Sequence, residues 1–195
     1  MGTVQQPLRI PLSSINPQLD NDVPNYIPGS PATYLILSLC YDTLAGPSVR
    51  PDRDGIISPD FLKMKPRLVE SFGENPDSTW WIRLKKGILS HWGNELTAEN
   101  IKWGFQKAFS VNNTGCWRWG QIAGLETAES VEILDKYTLR YTLRSPNPHF
   151  PAYLFFATPS IVDATEVSRH ASDQDPWAME WLAQNVAGFG AYALT

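Results

Sequence analysis

Apolar and polar positions alternate most cleanly in two stretches of the chain. In the first, Trp80, Ile82 and Leu84 fall on one side of an extended segment and Arg83 and Lys85 on the other, with Trp81 an apolar extra on the wet side. In the second, Tyr137, Leu139, Tyr141 and Leu143 alternate with Thr138, Arg140, Thr142 and Arg144. Val131 and Ile133 precede them, across an Asp135-Lys136 turn, so this stretch predicts a hairpin with one buried and one wet face. Between the two strands the period becomes helical. Ile101, Phe105 and Phe109 recur at i, i+4 and i+8, Thr97 stands at the N-cap position, and Glu99 lies in the first turn near the positive helix end. Gly87 and Gly93-Asn94 punctuate the polar loop that joins strand to helix.

Weaker signals organise the remainder. Residues 8–12 read as a short first strand that Pro11 confines to an edge or an end. Residues 16–30 are polar and rich in turn formers. Ser30 and Pro31 then predict the start of a helix reaching about Leu44, closed by Gly46-Pro47. Residues 52–60 read as a turn-rich connector with a hairpin tip at Asp54-Gly55, and Asn75-Pro76-Asp77-Ser78 as the turn into the Trp80 strand. A short apolar helix is expected from about His149. Asp163 has the spacing of a cap with Glu166, and Asp175-Pro176 predicts one more helix carrying Trp177 and Trp181 as packing residues.

The order of these motifs resembles the family 5 extracytoplasmic solute-binding proteins, the peptide-binding subunits of ABC importers. The resemblance rests on Leu84-Lys85-Lys86-Gly87, then His91-Trp92-Gly93-Asn94, then Leu96-Thr97-Ala98-Glu99-Asn100. Gly-Asn replaces the family's usual Asp-Gly, and Asn100 its usual Asp. Tyr41-Asp42-Thr43-Leu44, residues 66–72, the run 119–124, the 131–143 hairpin and Gly188-Phe189-Gly190-Ala191-Tyr192 are similar to further family segments. The resemblance implies an α+β fold equivalent to the N-terminal lobe region of a two-lobed, type II-like binding protein, truncated to about the first two-fifths of a member. It further implies that residues 1–45 and 157–195 are parts of the first lobe and 46–156 a smaller α+β subdomain. The flanks are then expected to expose an apolar face where the rest of the protein would pack.

Composition narrows the function classes. The net charge of −4 without a basic cluster argues against nucleic acid. The N-terminus has no charged start followed by an apolar core, so it does not read as a signal peptide. Eight tryptophans suit either a large core or a surface that grips ligands by stacking. Cys40 reads as a small core residue, and with Cys116 it permits one disulfide without arguing for it. No Cys/His spacing suggests a metal and no cofactor is implied. His91, His149 and His170 sit in no catalytic motif, so an enzyme is not expected; His91 reads as a surface residue of the signature loop.

The resemblance therefore implies an extracytoplasmic component, periplasmic or lipid-anchored, that captures peptides and delivers them to ABC permease subunits. An oligosaccharide or other small solute is an alternative cargo, and a partner-binding domain on the same scaffold an alternative role. By the resemblance, Gly29, Ser30 and Pro31 lie near the cleft. Trp117 and Trp119, in a glycine-rich loop, are the aromatic ligand-contact candidates, with packing of both indoles onto the helix as the alternative.

Overall fold

In the computed structural model the described residues are 37–112, 116, 118–154 and 161–194. The expected first strand, the 16–30 loop and the helix start at Ser30-Pro31 lie outside them. The architecture is mixed α and β. Its centre is a four-stranded antiparallel sheet in the order β3-β4-β6-β5, formed by β3 (Val69–Glu74), β4 (Trp80–Leu84), β5 (Val131–Asp135) and β6 (Thr138–Tyr141). The predicted apolar face is observed, with no exposed surface at Ile82, Leu84, Leu139 and Tyr141; on the other face Arg83 is exposed but Thr138, expected to be wet, is buried, and the last strand ends at Tyr141 rather than running on to Arg144. β4 is central, with Ile82 opposite Phe72 on β3 and Leu139 on β6.

The helix Ala98–Ser110 covers the apolar face of this sheet. Thr97 is its N-cap in extended conformation, and the Oδ1 of Asn100 accepts from the Thr97 backbone N–H at 2.8 Å and from its hydroxyl at 3.2 Å. The Asn100 N–H in turn donates to Thr97 O at 3.1 Å, so the two residues bond each other across the first turn and satisfy groups a helix start leaves orphaned. Ile101 and Phe105 are buried against the sheet core and Phe109 packs at its margin. The turn at 75–78 is also as expected, closed by Asn75 N–H to Thr79 O at 2.7 Å.

Two expectations fail at element ends. The first helix stops at Cys40 rather than near Leu44, and Gly46-Pro47 lie inside β1 (Ala45–Pro51), not beyond a helix. Strand pairing wins here: Ala45 N–H bonds to Leu154 O, and β1 pairs antiparallel with β2 (Ile57–Pro66). The ladder tolerates Pro47 because its register breaks between Pro47 and Ser48, and prolines sit at edges and bulges. The tip at Asp54-Gly55 is as predicted, with Gly55 at φ +78° and the Asp52 carboxylate taking the N–H groups of Asp54 and Ile56. Second, no helix opens at Asp175-Pro176. Ala178 turns left-handed at φ 48°, and a one-turn helix, Met179–Leu182, follows. Asp175 still caps it, from outside, by accepting from the N–H groups of Met179 and Glu180.

The buried apolar side chains form two clusters. The larger lies between sheet and helix and takes in Leu125, Phe150 and Leu154. The smaller gathers Leu37, Cys40 and Tyr41 with Val162, Val167, Leu182 and Val186. Trp103, on the far side of the long helix, packs against it, so one helix serves both cores. Cys40 is buried there, and it and Cys116 are both free thiols. Of the apolar face expected on the flanks, the large exposed side chains among the described residues are Tyr192 and Leu194; Val49, Ile56 and Ile57, on the β1–β2 hairpin, are more exposed than either.

Candidate functional site

The loop between β4 and the long helix turns back on itself. Ser90 N–H bonds to Asn94 O, Gly93 N–H to Ser90 O, and Gly93 adopts φ +84°, which a side chain would resist. This places Ser90 and Asn94 side by side, and both reach one carboxylate. Ser90 Oγ donates to Asp163 Oδ2 at 2.5 Å and Asn94 Nδ2 donates to the same oxygen at 2.9 Å. The other oxygen, Oδ1, accepts from Glu166 N–H at 3.0 Å and so caps the helix Ala164–Ser168. Asp163 is fully buried. A buried carboxylate is tolerated only with such a shell of donors.

Three further contacts run from this loop to the segment 186–190. Trp92 Nε1 donates to Val186 O at 3.1 Å, His91 N–H to Gly188 O at 3.3 Å, and His91 Nε2 lies 3.1 Å from Gly190 O. His91 is thus partly buried against a backbone and is not a surface residue. Its Nδ1 is enclosed without a partner among the described residues, and Nε2 donates to the Gly190 carbonyl. Gly188 pairs with Val162, and Gly190 N–H bonds to Cys40 O at 2.9 Å. A Cβ on Gly188 would stand 1.9 Å from Cys40 O, and one on Gly190 2.6 Å, so both glycines are required by close backbone approach. The loop, the end of the first helix and the 186–190 segment meet in one polar junction.

Aromatic rings border it. Trp92 is about half exposed and tilts against Trp181 at 5.8 Å between centroids, and His170 stacks flat on Trp181 at 4.2 Å. The His170 ring is held by Glu166, whose buried carboxylate also takes Arg169 at 2.5 Å. Trp177 does not join this row. It lies edge-on to Trp103 and donates to Ser110 Oγ, tying its segment to the long helix.

Of the expected ligand contacts, Gly29, Ser30, Pro31 and Trp117 lie outside the described residues. Trp119 is 2% exposed. Its indole is enclosed by Phe105 at 5.1 Å, Phe150 at 6.0 Å and Tyr153 at 5.9 Å, and its carbonyl accepts from Leu125 N–H. As placed, its ring is enclosed by side chains of the larger core. Burial among these rings also pushes the Tyr141 phenol well above its ordinary pKa. Among the described residues, no group of His, Cys, Asp and Glu is arranged to hold a metal ion. The part of the junction that pattern reading missed is the Ser90–Asp163–Asn94 triad. Asp163 was visible only as a helix cap.

Residues 63–195 match the model of bacterial extracellular solute-binding proteins, family 5, middle region. The chain belongs to that family. Its sequence is 27% identical over 115 residues to the probable D,D-dipeptide-binding periplasmic protein DdpA of Escherichia coli K12, covering 59% of this chain and 20% of that protein. It is 24% identical over 142 residues to the periplasmic oligopeptide-binding protein OppA of the same strain, covering 66% of this chain and 25% of that one. The chain thus spans a fifth to a quarter of the length of these relatives. Among solved structures, the Helicobacter pylori periplasmic binding protein DppA in complex with the peptide STSA superimposes over 91% of this chain and 34% of its own, with TM-score 0.66 and 22% identity. NikZ of Campylobacter jejuni in complex with Ni(L-His) covers 93% and 34%, with TM-score 0.60 and 20% identity. At these identities the structural likeness establishes the fold. No described helix is long and apolar enough to cross a membrane.

Proposed function

We infer that the chain forms part of an extracytoplasmic solute-binding component of an ABC importer, that its solute is a peptide, and that it hands this solute to membrane permease subunits. Family membership over residues 63–195 carries this reading. Two curated relatives named as dipeptide- and oligopeptide-binding periplasmic proteins favour peptide as cargo and the periplasm, free or lipid-anchored, as location. In this reading the smaller subdomain is 46–156, and residues 1–45 with 157–195 contribute to the first lobe. The polar junction at Asp163 fixes the subdomain against that lobe, so that the segments bordering the cleft keep their register as the lobes close. Gly29, Ser30 and Pro31 approach the ligand backbone. Trp117 supplies the stacking face, and Trp119, enclosed by Phe105 and Phe150, holds the run 118–123 to the core.

A second cargo is kept because a structural neighbour holds Ni(L-His): a small metal chelate or other non-peptide solute on the same scaffold. Thermal unfolding of the protein with di- to pentapeptides, oligosaccharides and nickel–histidine separates these. Ligand that binds the native state raises the midpoint with concentration. Peptide alone should do so. A rise with oligosaccharide or nickel–histidine alone would transfer the importer role to that cargo. No rise with any of the three would favour a partner-binding domain over a solute binder.

A further inference from the structure

The wet face of the four-stranded sheet carries a groove of about 940 Å³ that the solute-binding reading does not use. It crosses every strand: Glu70 on β3, Arg83 on β4, Thr138 on β6 and Asp135 at the end of β5 line it. At ordinary strand spacing that is roughly 14 Å across. Lys85 and Lys86, just past β4, stand beside Arg83, so three cations occupy the middle and the two carboxylates the rims. This concentration of cations runs against a chain whose net charge is −4.

The cations are available and the wall is fixed. The side chains of Arg83 and Lys85 make no hydrogen bond or ion pair among the described residues. Asp135 is occupied by its own turn, accepting from Tyr137 N–H at 2.8 Å. The Tyr137 hydroxyl donates to Glu95 at 2.9 Å, and the ammonium groups of Lys86 and Lys136 lie 5.4 and 5.1 Å from its ring centroid. A rigid aromatic thus borders a strip of positive charge that carries no hydrogen bond at Arg83 or Lys85, although the Arg83 charge also acts on the Asp135 rim.

We propose that this groove docks a short acidic segment of a partner polypeptide, with one or two carboxylates seated on Arg83 and Lys85 between the Glu70 and Asp135 rims. The lining side chains are exposed apart from Thr138, which is buried, and Tyr137, which is partly so. So open a site buries too little of a small anion to hold it alone. An extended segment gains from several contacts along the 14 Å span. A flat, continuous anionic surface such as a membrane would bring charge against Glu70 and Asp135 as well, and like-charge contact is unfavourable.

The test is an NMR titration of the isotope-labelled chain with the hexapeptide Gly-Gly-Glu-Glu-Gly-Gly blocked at both ends, so that its only charges are two central side-chain carboxylates. Parallel titrations use inorganic phosphate and phosphatidylglycerol vesicles. Saturable shifts are expected at Arg83, Lys85, Asp135 and Thr138. R83Q/K85Q should weaken binding by at least about tenfold, and K63Q/K65Q, which removes the same charge from exposed positions on β2, by less than about twofold. The two double variants should match the parent in thermal midpoint, since all four side chains are exposed. Shifts outside the groove, equal weakening by both variants, or no saturable shift would overturn the proposal. Phosphate binding as tightly as the two-glutamate peptide would reduce the groove to a free-anion site. Shifts driven by vesicles but not by peptide would assign it to a membrane surface. None of these readouts depends on which solute the cleft takes.

Discussion

The sheet with its long helix and the flanking region of residues 37–45 and 161–194 are held together differently. In the first, side chains spaced by two or by about 3.6 residues bury a continuous apolar layer: Ile82, Leu84, Leu96, Leu139 and Tyr141 have no exposed surface. In the second, the helices Ala164–Ser168 and Met179–Leu182 are each about one turn, too short to be stable alone. They are kept in place by burial of Val167 and Leu182 in the smaller apolar cluster and by polar contacts from residues far away in sequence, above all Ser90 and Asn94 on Asp163. The first region carries its stability in its own pattern. The second has a smaller apolar cluster of its own and leans on the first through the signature loop, through Trp103 of the long helix and through the Trp177–Ser110 hydrogen bond.

The largest effect should come from the centre of the first region. Ile82→Ala removes a fully buried side chain from the middle strand and should cost about 4 kcal/mol in urea unfolding. Because the flank depends on the sheet, amide exchange should accelerate in both regions. Acceleration confined to β4 and its neighbours would show that the flank is independently stable, and the proposed dependence would be wrong.

The reverse experiment is Asp163→Ala. It strips Ser90 Oγ, Asn94 Nδ2 and Glu166 N–H of one shared acceptor in a buried site, at a cost of about 3 kcal/mol. Exchange should rise for residues 162–167 and 186–190 while amides of β4 and β6 stay protected. Equal loss in the sheet would mean that the two regions unfold as a single unit.

The smallest effect concerns Glu95, which links the signature loop to the hairpin. The hydrogen bond from Lys136, then those from Gly87 N–H and the Tyr137 hydroxyl, hold its pKa down to about 2, against an ordinary 4.5. A carboxyl with a depressed folded-state pKa contributes its full stability above the unfolded value, and the contribution falls away as pH drops through the folded one. Acidification from pH 5 to pH 2 should therefore remove it, and Glu95→Gln should flatten that part of the stability profile. The group is partly exposed, so the change should be modest and should shrink in salt. An unchanged acid profile in the variant would deny Glu95 this linking role.

The sequence by itself determined the parts whose signal is local. Alternation fixed both faces of β4 and the apolar face of the 131–141 hairpin, but not the burial of Thr138 on its other face. Thr97 and the Ile101–Phe105–Phe109 spacing fixed the long helix and the side it buries. The signature run from Leu84 to Asn100 was enough for the family. Only the tertiary structure decided where the first helix ends, because pairing of Ala45–Pro51 with Ile57–Pro66 overrides a proline-glycine stop. It also decided that His91 is half-enclosed, that Trp119 belongs to the core, and that Gly188 and Gly190 make room for the Cys40 carbonyl. The physical reason is common to these cases. Periodicity reports which side of an element meets a core, and a cap reports how a backbone ends. The donors that a buried carboxylate such as Asp163 will find, 73 and 69 residues away, leave no period in the chain. They are set by which loops the folded cores bring together.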